Sequence, residues 1–287
     1  MKKQGKRVAI QGGFGAFHEI AARKYFTESE PQIVPCDTFI DLFDSIASGN
    51  ADFAVVAIEN SVAGSLIPNY ALLSRSSVKV TGEVYLRIIQ NLIALPGQNL
   101  DDISEIHSHP MAILQCHDFL APLRKRGVKV VESIDTALSA KWIKENGMMG
   151  IAALASELAA VIYGLEVIAE SVESNKRNFT RFLIVEPRTD KKGGKEATDL
   201  NKASICFTLP HNVGSLSQIL SVLAYYRINL SKIQSLPVVG KEWEYFFHLD
   251  LLFDDISMYK KALSAVQPLI DQLQILGEYK SGQLQNG

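Results

Sequence analysis

The chain has 287 residues, of which 47% are hydrophobic, and its 29 lysines and arginines nearly balance 31 aspartates and glutamates, for a formal net charge of −2. This length allows two ordinary domains, each with its own hydrophobic core. The balanced charge gives no electrostatic reason to expect nucleic acid or an anionic membrane surface as a partner, so we expect a small-molecule ligand.

The sequence also predicts a protein that is not exported and that has neither disulfides nor a metal site. MKKQGKRVAIQGGFG joins a basic start to a short apolar strand and glycines, without the apolar stretch of a signal peptide, so we expect a cytoplasmic protein. Cys36, Cys116 and Cys206 lie far apart and predict buried thiols. The histidines of the 107–117 segment lack carboxylates or cysteines at ligand spacing, and we expect no metal site.

Up to Glu186, short β-rich runs alternate with helical patterns, which predicts an α/β fold with a largely parallel sheet. We predict N-caps at Thr38, with Asp41 in the first turn of its helix, and at Asp135. The predicted strands are VAIQG, DFAVVAIEN, KVVESI, GIAALA and RFLIV, and the predicted helices are FHEIAARKYF, TFIDLFDSIASGN and TALSAKWIKENG.

The middle of this region predicts a crossing between two lobes. GEVYLRIIQNLIALPG reads as one long strand that carries the chain from one lobe to the other, and TRFLIV returns late to a strand like those at the start. We therefore expect two lobes with a cleft.

After this region comes a polar linker at 187–202, where no apolar period survives. Residues 203–287 then show strand and helix patterns in the order β-α-β-β-α-β, the ferredoxin-like arrangement. Because this arrangement serves many functions, it predicts a shape rather than a role.

The first candidate site segment is QGGFGAFHE, in which Gly12, Gly13 and Gly15 follow a predicted strand and Ala16 opens a helix. Backbone amides at such a turn can hold an anion. The spacing does not match the dinucleotide-binding motif, and a tight strand-to-helix turn explains the glycines equally well.

The second candidate is IENSVAGS, at the carboxyl end of the strongest predicted strand, an edge at which open α/β sheets bind ligands. Asn60 and Ser61 are neutral donors for carboxylate oxygens, and Gly64 and Ser65 offer backbone amides. The alternative is a loop whose polar side chains cap its own backbone.

Two further segments complete the set. In HSHP, Pro110 suits the first turn of a helix that Ser108 or His109 would cap, and such a helix end suits an anion. In NFTRFLIV, strand alternation places Thr180 and Phe182 on one face. The same alternation places Arg181 on the other.

In this order, these segments resemble the prephenate dehydratase family over nearly the whole chain. The resemblance implies a two-lobed α/β catalytic region similar to type II periplasmic binding proteins, at residues 1–186, and no metal or organic cofactor. The residues that carry it are Gly12, Gly15, the IENS segment with Gly64, Ser108-His109-Pro110 with Gln115 and Cys116, Asp135-Thr136-Ala137, IAALASELAAVIYGL, and Asn178 with Thr180-Arg181-Phe182.

The resemblance further implies decarboxylative dehydration of prephenate to phenylpyruvate, with Thr180 as the key catalytic residue beside Arg181. Aromatisation drives this reaction, so the protein supplies orientation and a donor for the departing hydroxyl. Arg181 either binds substrate charge or orders the site by pairing with an acid such as Glu59. The implied substrate contacts are Gly15, Ala16, Asn60, Ser61, Gly64, Ser108 and His109.

The C-terminal unit, 203–287, resembles an ACT domain, which implies L-phenylalanine as allosteric effector and a homo-dimer or homo-tetramer. The implied effector contacts are Gly214, Ser215, Leu216, Asn229, Leu230 and Ser235. The family's Glu-Ser-Arg-Pro motif reads here Gln234-Ser235-Leu236-Pro237.

The chain also departs from the family pattern in the first turn, with Ala16 where many members have Thr and His18 where Ser or Thr is usual. Two other readings stay open. One is an arogenate dehydratase, with the same chemistry on the amino-acid analogue of prephenate. The other is a non-enzymatic cytosolic sensor of a carboxylate or amino acid.

Overall fold

The computed structural model describes residues 5–188, 199–210, 212–238 and 245–283. Its strands are β1 (Arg7–Gln11), β2 (Gln32–Cys36), β3 (Phe53–Asn60), β4 (Gly64–Ser65), β5 (Val78–Arg87), β6 (Asn91–Ala94), β7 (Glu105–Ser108), β8 (Lys129–Glu132), β9 (Ile151–Ala155), β10 (Glu166–Ala169), β11 (Phe179–Pro187), β12 (Lys202–Thr208), β13 (Asn229–Pro237), β14 (Tyr245–Leu252) and β15 (Asp271–Tyr279).

The helices are α1 (Phe17–Tyr25), α2 (Phe39–Ala47), α3 (Ile67–Arg75), α4 (Pro110–Gln115), α5 (His117–Lys125), α6 (Thr136–Asn146), α7 (Glu157–Tyr163), α8 (Ser215–Tyr225) and α9 (Ile256–Val266), with 3₁₀ turns at Leu100–Asp102 and Gln267–Leu269. Both predicted caps are confirmed. Thr38 Oγ1 accepts from the Asp41 amide, and the Asp135 side chain accepts from the Leu138 amide.

The described residues divide into two compact units, 5–66 with 84–182 and 67–83 with 183–283. Residues 67–83, which the sequence analysis assigns to the catalytic region, are therefore grouped with the C-terminal part of the chain. The functional assignment of the units stays a prediction.

The first sheet has the order β2-β1-β3-β11-β5, with β4 paired to β3, and β1 runs parallel to both β2 and β3. Val8, Ala9 and Ile10 in β1 are fully buried, as expected for a parallel strand covered on both faces. Strand β11 lies between β3 and β5, so the predicted late return of the chain is confirmed.

The second sheet has the order β10-β6-β9-β7-β8. Strand β7 is parallel to β8 and β9, but β6 is antiparallel to β9 and β10. The fold is α/β, as predicted, but its sheets are mixed, and the expected largely parallel sheet is wrong on this point.

The predicted long strand at 82–97 is also wrong. It breaks into β5, in the first sheet, and β6, in the second, so the predicted crossing is confirmed while the continuous strand is not. The break occurs near Gln90, whose backbone N–H donates to the buried carboxylate of Glu173 at 3.0 Å rather than to a strand.

The second unit contains an antiparallel sheet in the order β13-β14-β12-β15. With helices α8 and α9 it follows the predicted order β-α-β-β-α-β, and its core includes Phe207, Leu223 and Tyr259. Pro187 and Lys202, predicted as linker ends, belong to β11 and β12, while 189–198 lie outside the described residues.

Cys36, Cys116 and Cys206 are free and buried, as predicted. Among the described residues, no helix is long and apolar enough to span a membrane, and no group of three or more His, Cys, Asp and Glu side chains could hold a metal ion.

Candidate active site

A cavity of about 380 Å³ lies within the first unit, between elements of its two sheets. Its apolar walls include Phe17, Ile88 and Phe182. Its polar lining consists of Gln11, His18, Asn60, Ser65, Gln90, His109, Gln115, Asp135, Thr136 and Thr180. None of the described lining residues is a lysine or an arginine, so Asp135 is the one lining side chain with a strong formal charge.

Strand β11 presents alternate side chains to this cavity. Thr180 and Phe182 line it, whereas Arg181 is 5% exposed and lies outside the lining. The predicted alternation is confirmed, because successive side chains of a strand point to opposite faces.

Asn60, the last residue of β3, organises this part of the wall. Its Nδ2 donates to Oδ1 of Asn178 at 2.7 Å and to Oγ1 of Thr180 at 2.8 Å. Its Oδ1 accepts from the amides of Val62 and Ala63. Both N–H groups of the Asn60 side chain are therefore used inside the protein, and Asn60 positions Thr180 rather than offering free donors.

The hydrogen bond from Asn60 fixes the role of the Thr180 hydroxyl. Since its oxygen accepts from Asn60, the hydroxyl hydrogen is available to donate, and among the described residues it has no acceptor. Thr180 is thus a hydrogen-bond donor at the cavity wall.

Two backbone amides of the glycine turn donate to carboxylate side chains of the protein itself. The Gly13 amide donates to the Asp135 carboxylate, and the Gly15 amide donates to Glu19 Oε2 at 2.7 Å. The expectation that the amides of this turn hold substrate is wrong for Gly13 and Gly15. Gly15 is required for packing, because a Cβ there would lie 2.6 Å from Ala159 Cα at a φ of +87°.

Backbone amides without an acceptor among the described residues lie one step further along the chain, at the start of α1. The N-cap residue Ala16 lines the cavity and provides no side-chain cap. The amides of Phe17 and His18 have no acceptor among the described residues, and both residues line the cavity. Such an uncapped helix start attracts negative charge.

Besides Gly15, two predicted contacts lie outside the cavity lining. Ser61 is exposed, and its hydroxyl donates to the Arg177 carbonyl and accepts from the Phe179 amide. Ser108 is fully buried, and its hydroxyl donates to the Leu154 carbonyl at 2.7 Å. Both hydroxyls are used to join segments of the chain, so the predicted substrate contact is not seen at either position.

Three other predicted residues do line the cavity. His109 caps α4 by accepting from the Met111 amide, with Pro110 at the first helical position as predicted. Gly64 adopts a φ of +83° opposite Asn60, and Ala16 lies at the start of α1. Gln115, one of the residues that carry the family resemblance, also lines the cavity.

Several polar lining residues were not among the predicted site residues, including Gln11, His18, Gln90 and Asp135. Burial lowers the pKa of His18 to about 4, which keeps the imidazole neutral. Burial also raises the pKa of Asp135, although amides of Leu138, Gly13 and Ala137 oppose this shift. Gln90 is 2% exposed, and its Oε1 has no hydrogen-bond partner among the described residues.

The predicted effector residues all lie in the second unit, at two places. Gly214 caps α8 at a φ of +83°, followed by Ser215 and by Leu216, which packs on the core. Asn229, Leu230 and Ser235 lie on β13, one of the two edge strands of the sheet.

Comparison with known proteins identifies the family. The family model described as prephenate dehydratase matches residues 8–190. A chloroplastic arogenate dehydratase/prephenate dehydratase of Arabidopsis thaliana is 36% identical over 296 residues, covering 95% of this chain and 71% of that protein.

Two solved structures resemble the chain over almost its full length. A prephenate dehydratase of Arthrobacter aurescens in complex with L-Phe is 29% identical, with a TM-score of 0.83. The match covers 96% of this chain and 89% of the Arthrobacter chain. GqqA, described as a novel type of quorum quenching acylase, is also 29% identical, with a TM-score of 0.85 and coverage of 96% and 98%. By its family model and its 36% identical relative, this chain is a member of the prephenate dehydratase family.

Proposed function

We propose that the chain converts prephenate to phenylpyruvate at this cavity, with Thr180 as the donor to the departing hydroxyl. The observation that carries the proposal is the hydrogen bond from Asn60 Nδ2 to Thr180 Oγ1 at 2.8 Å. It orients the hydroxyl so that its hydrogen is free to meet a leaving oxygen in the cavity.

The reaction needs no strong base. The bond between the ring and its carboxylate breaks and releases carbon dioxide, and its electron pair completes the aromatic ring as the C–O bond to the hydroxyl breaks. The leaving oxygen departs as water after taking up one proton overall. A donor held against that oxygen stabilises the charge that develops in the transition state.

The uncapped start of α1 is proposed to hold a substrate carboxylate. The Phe17 and His18 amides supply the donors, and the partial positive charge of the helix start supplies the attraction. Arg181 is proposed to act by ordering β11, because it is buried and lies outside the cavity lining.

The test is turnover of prephenate by purified wild type, Thr180→Val and Thr180→Ser. Valine keeps the shape but removes the donor, and we expect kcat to fall at least about 100-fold. Serine keeps the hydroxyl, and we expect kcat within about tenfold of wild type. Full activity of a folded Thr180→Val variant would exclude the donor role. Acylase activity is measured in parallel because of the likeness to GqqA.

We further propose that the second unit is an ACT-type regulatory domain that binds L-phenylalanine through Gly214, Ser215, Leu216, Asn229, Leu230 and Ser235. The supporting facts are its β-α-β-β-α-β order and the L-Phe complex of the Arthrobacter relative. Calorimetric titration with L-phenylalanine and assay of its effect on kcat test this, and the absence of both binding and inhibition would exclude it.

A further inference from the structure

A second cavity, of about 660 Å³, lies within the first unit and shares walls with the active-site cavity. Phe17, in the first turn of α1, lines both cavities. The segment that crosses from β5 to β6 also contributes to both, with alternate residues in each. Ile88 and Gln90 line the active-site cavity, and Arg87, Ile89 and Asn91 line the second cavity.

Polar groups of the second cavity meet at Ser171, which lines it. The Ser171 amide donates to Asn91 Oδ1 at 2.9 Å, and its hydroxyl donates to Glu173 Oε1 at 2.8 Å. Nη2 of Arg87 lies 3.5 Å from the same carboxylate oxygen. Ser171 adopts a φ of +51°, a left-handed conformation that is uncommon for a residue other than glycine. Backbone strain of this kind is concentrated at functional sites.

Two hydrogen-bond donors beside Ser171 have capacity for a ligand. Asn91 is 5% exposed, and since its Oδ1 accepts from the Ser171 amide, its Nδ2 points elsewhere and has no partner among the described residues. The guanidinium of Arg87 has five N–H donors, of which one contacts another described residue, Glu173. Buried donors are nearly always paired, and a guanidinium beside an amide suits a carboxylate.

The rest of the lining indicates what carries that carboxylate. Ile20, Leu158 and Val167 give the second cavity apolar walls, and its volume suits a small organic molecule. The exposed carboxylates of Glu157 and Glu170 also line it, and they repel a second negative charge on a ligand. The lining therefore fits an organic anion with one carboxylate on an apolar body.

A buried carboxylate connects this cavity to the active-site cavity. Arg87 contacts Oε1 of Glu173, and Oε2 of Glu173 accepts from the backbone N–H of Gln90 at 3.0 Å. Glu173 is 1% exposed, and Gln90 lines the active-site cavity. A ligand that takes up the Arg87 guanidinium therefore changes the charge balance at the group that holds Gln90 in place.

A second connection runs through α1. Arg23 lines the second cavity, and its Nη2 lies 2.7 Å from Oε1 of Glu19. The other carboxylate oxygen of Glu19 accepts from the Gly15 amide at 2.7 Å. Since Glu19 is fully buried, a shift of Arg23 acts on the glycine turn beside the start of α1.

We propose that the second cavity is a regulatory site for an organic monocarboxylate. The ligand carboxylate binds Arg87 and Asn91, and the apolar body lies against Ile20, Leu158 and Val167. Occupation changes the affinity of the active-site cavity for its substrate, and the substrate changes the affinity of the second cavity by the same factor. Binding at the second cavity is independent of the proposed reaction, whereas its effect on turnover rests on that reaction.

The test is calorimetric titration of the full chain with octanoate, and with octanamide as its neutral analogue. We expect wild type to bind octanoate at least about tenfold more tightly than octanamide. Arg87→Gln removes the cation, and Asn91→Asp keeps the acceptor for the Ser171 amide but removes the donor. Each variant should weaken octanoate binding at least about tenfold and change octanamide binding less than about threefold.

The matched control is Arg126→Gln, which removes an exposed arginine of the same unit outside both cavity linings and should leave both affinities at their wild-type values. Urea denaturation establishes that each variant is folded. If wild type bound no octanoate at about 1 mM, or if Arg87→Gln and Asn91→Asp bound it within about twofold of wild type, the proposed site would be wrong.

Coupling is measured in Thr180→Val, in which slow turnover allows prephenate to be titrated. Saturating octanoate should change the Kd of prephenate at least about threefold, prephenate should change the Kd of octanoate by the same factor, and adding Arg87→Gln should abolish both changes. A prephenate Kd that octanoate leaves unchanged would overturn the regulatory role. If folded wild type did not turn over prephenate, the proposed reaction would fail, and the octanoate titrations would still decide whether the second cavity is a site.

Discussion

Nδ2 of Asn60 donates to Oγ1 of Thr180 across 2.8 Å, which joins the end of β3 to the start of β11 at the cavity wall. Replacing Asn60 by aspartate would reverse this bond, because a carboxylate accepts and the Thr180 hydroxyl would turn its hydrogen toward it. We expect Asn60→Asp to lower kcat at least about 100-fold with little change in KM, as measured by steady-state turnover of prephenate or arogenate.

Asn99→Asp is the matched control for this change. Asn99 caps the 3₁₀ turn at Leu100–Asp102, outside the cavity lining, and aspartate is an equally good cap. We expect its kcat to equal that of wild type. If Asn60→Asp kept kcat within about threefold of wild type, the hypothesis that Asn60 orients Thr180 for catalysis would be wrong.

Replacement of Ser108 should affect stability rather than activity, because its hydroxyl bonds to another part of the protein. It is fully buried and donates to the Leu154 carbonyl at 2.7 Å, which joins β7 to β9. Ser108→Ala should lower the free energy of unfolding by about 1 kcal/mol, measured by urea denaturation. We expect kcat and KM to stay within about threefold of wild type. A loss of activity at unchanged stability would restore Ser108 as a substrate contact.

The features that the sequence predicted correctly are local. The caps at Thr38 and Asp135 depend on residues three positions away, and the separation of Thr180 from Arg181 follows from strand alternation alone. The crossing between lobes at 82–97 was predicted from the run GEVYLRIIQNLIALPG, but the break between β5 and β6 was not.

The features that it missed depend on partners far along the chain. The Gly13 amide is used by Asp135, and the Ser108 hydroxyl by Leu154, pairings that no local pattern indicates. Asp135 was recognised as a cap but not as a cavity residue, since its second role exists only once α6 lies against the glycine turn. The available signal in the sequence was the apolar Ile134 directly before this cap.

Lys202 and Glu83 form a buried ion pair within the second unit. Lys202 Nζ lies 2.9 Å from both carboxylate oxygens of Glu83, and the two residues are 2% and 5% exposed. Lys202→Met would remove the Lys202 ammonium group from the buried Glu83 carboxylate. We expect the free energy of unfolding to fall by about 3–5 kcal/mol in urea denaturation.

An exposed ion pair provides the control for Lys202→Met. Arg126 and Asp101 lie 2.5 Å apart with half or more of each side chain exposed, and Arg126→Ala should cost less than about 1 kcal/mol. The double variant Lys202→Met with Glu83→Met should recover part of the loss, because both charges of this pair are then removed. If Lys202→Met and Arg126→Ala lowered the free energy of unfolding equally, burial of the Lys202–Glu83 pair would not explain its contribution to stability.

His248 in β14 makes stability depend on pH. It is 3% exposed, and burial lowers its pKa to about 4, although Asp250 acts in the opposite direction. The unfolded chain therefore binds a proton near pH 6.5 that the folded chain does not bind until about pH 4. Stability falls as the pH drops through this window, and His248 alone should remove about 2 kcal/mol between pH 7 and pH 5.

His248→Leu tests this contribution by removing the titrating group from a site whose Nε2 has no partner among the described residues. The loss of unfolding free energy between pH 7 and pH 5, from urea denaturation at each pH, should shrink by about 2 kcal/mol relative to wild type. His117→Leu, at a histidine with 63% of its side chain exposed, should retain the wild-type loss. If both variants kept that loss, His248 would not be the proton acceptor, and the acid sensitivity of the fold would originate elsewhere.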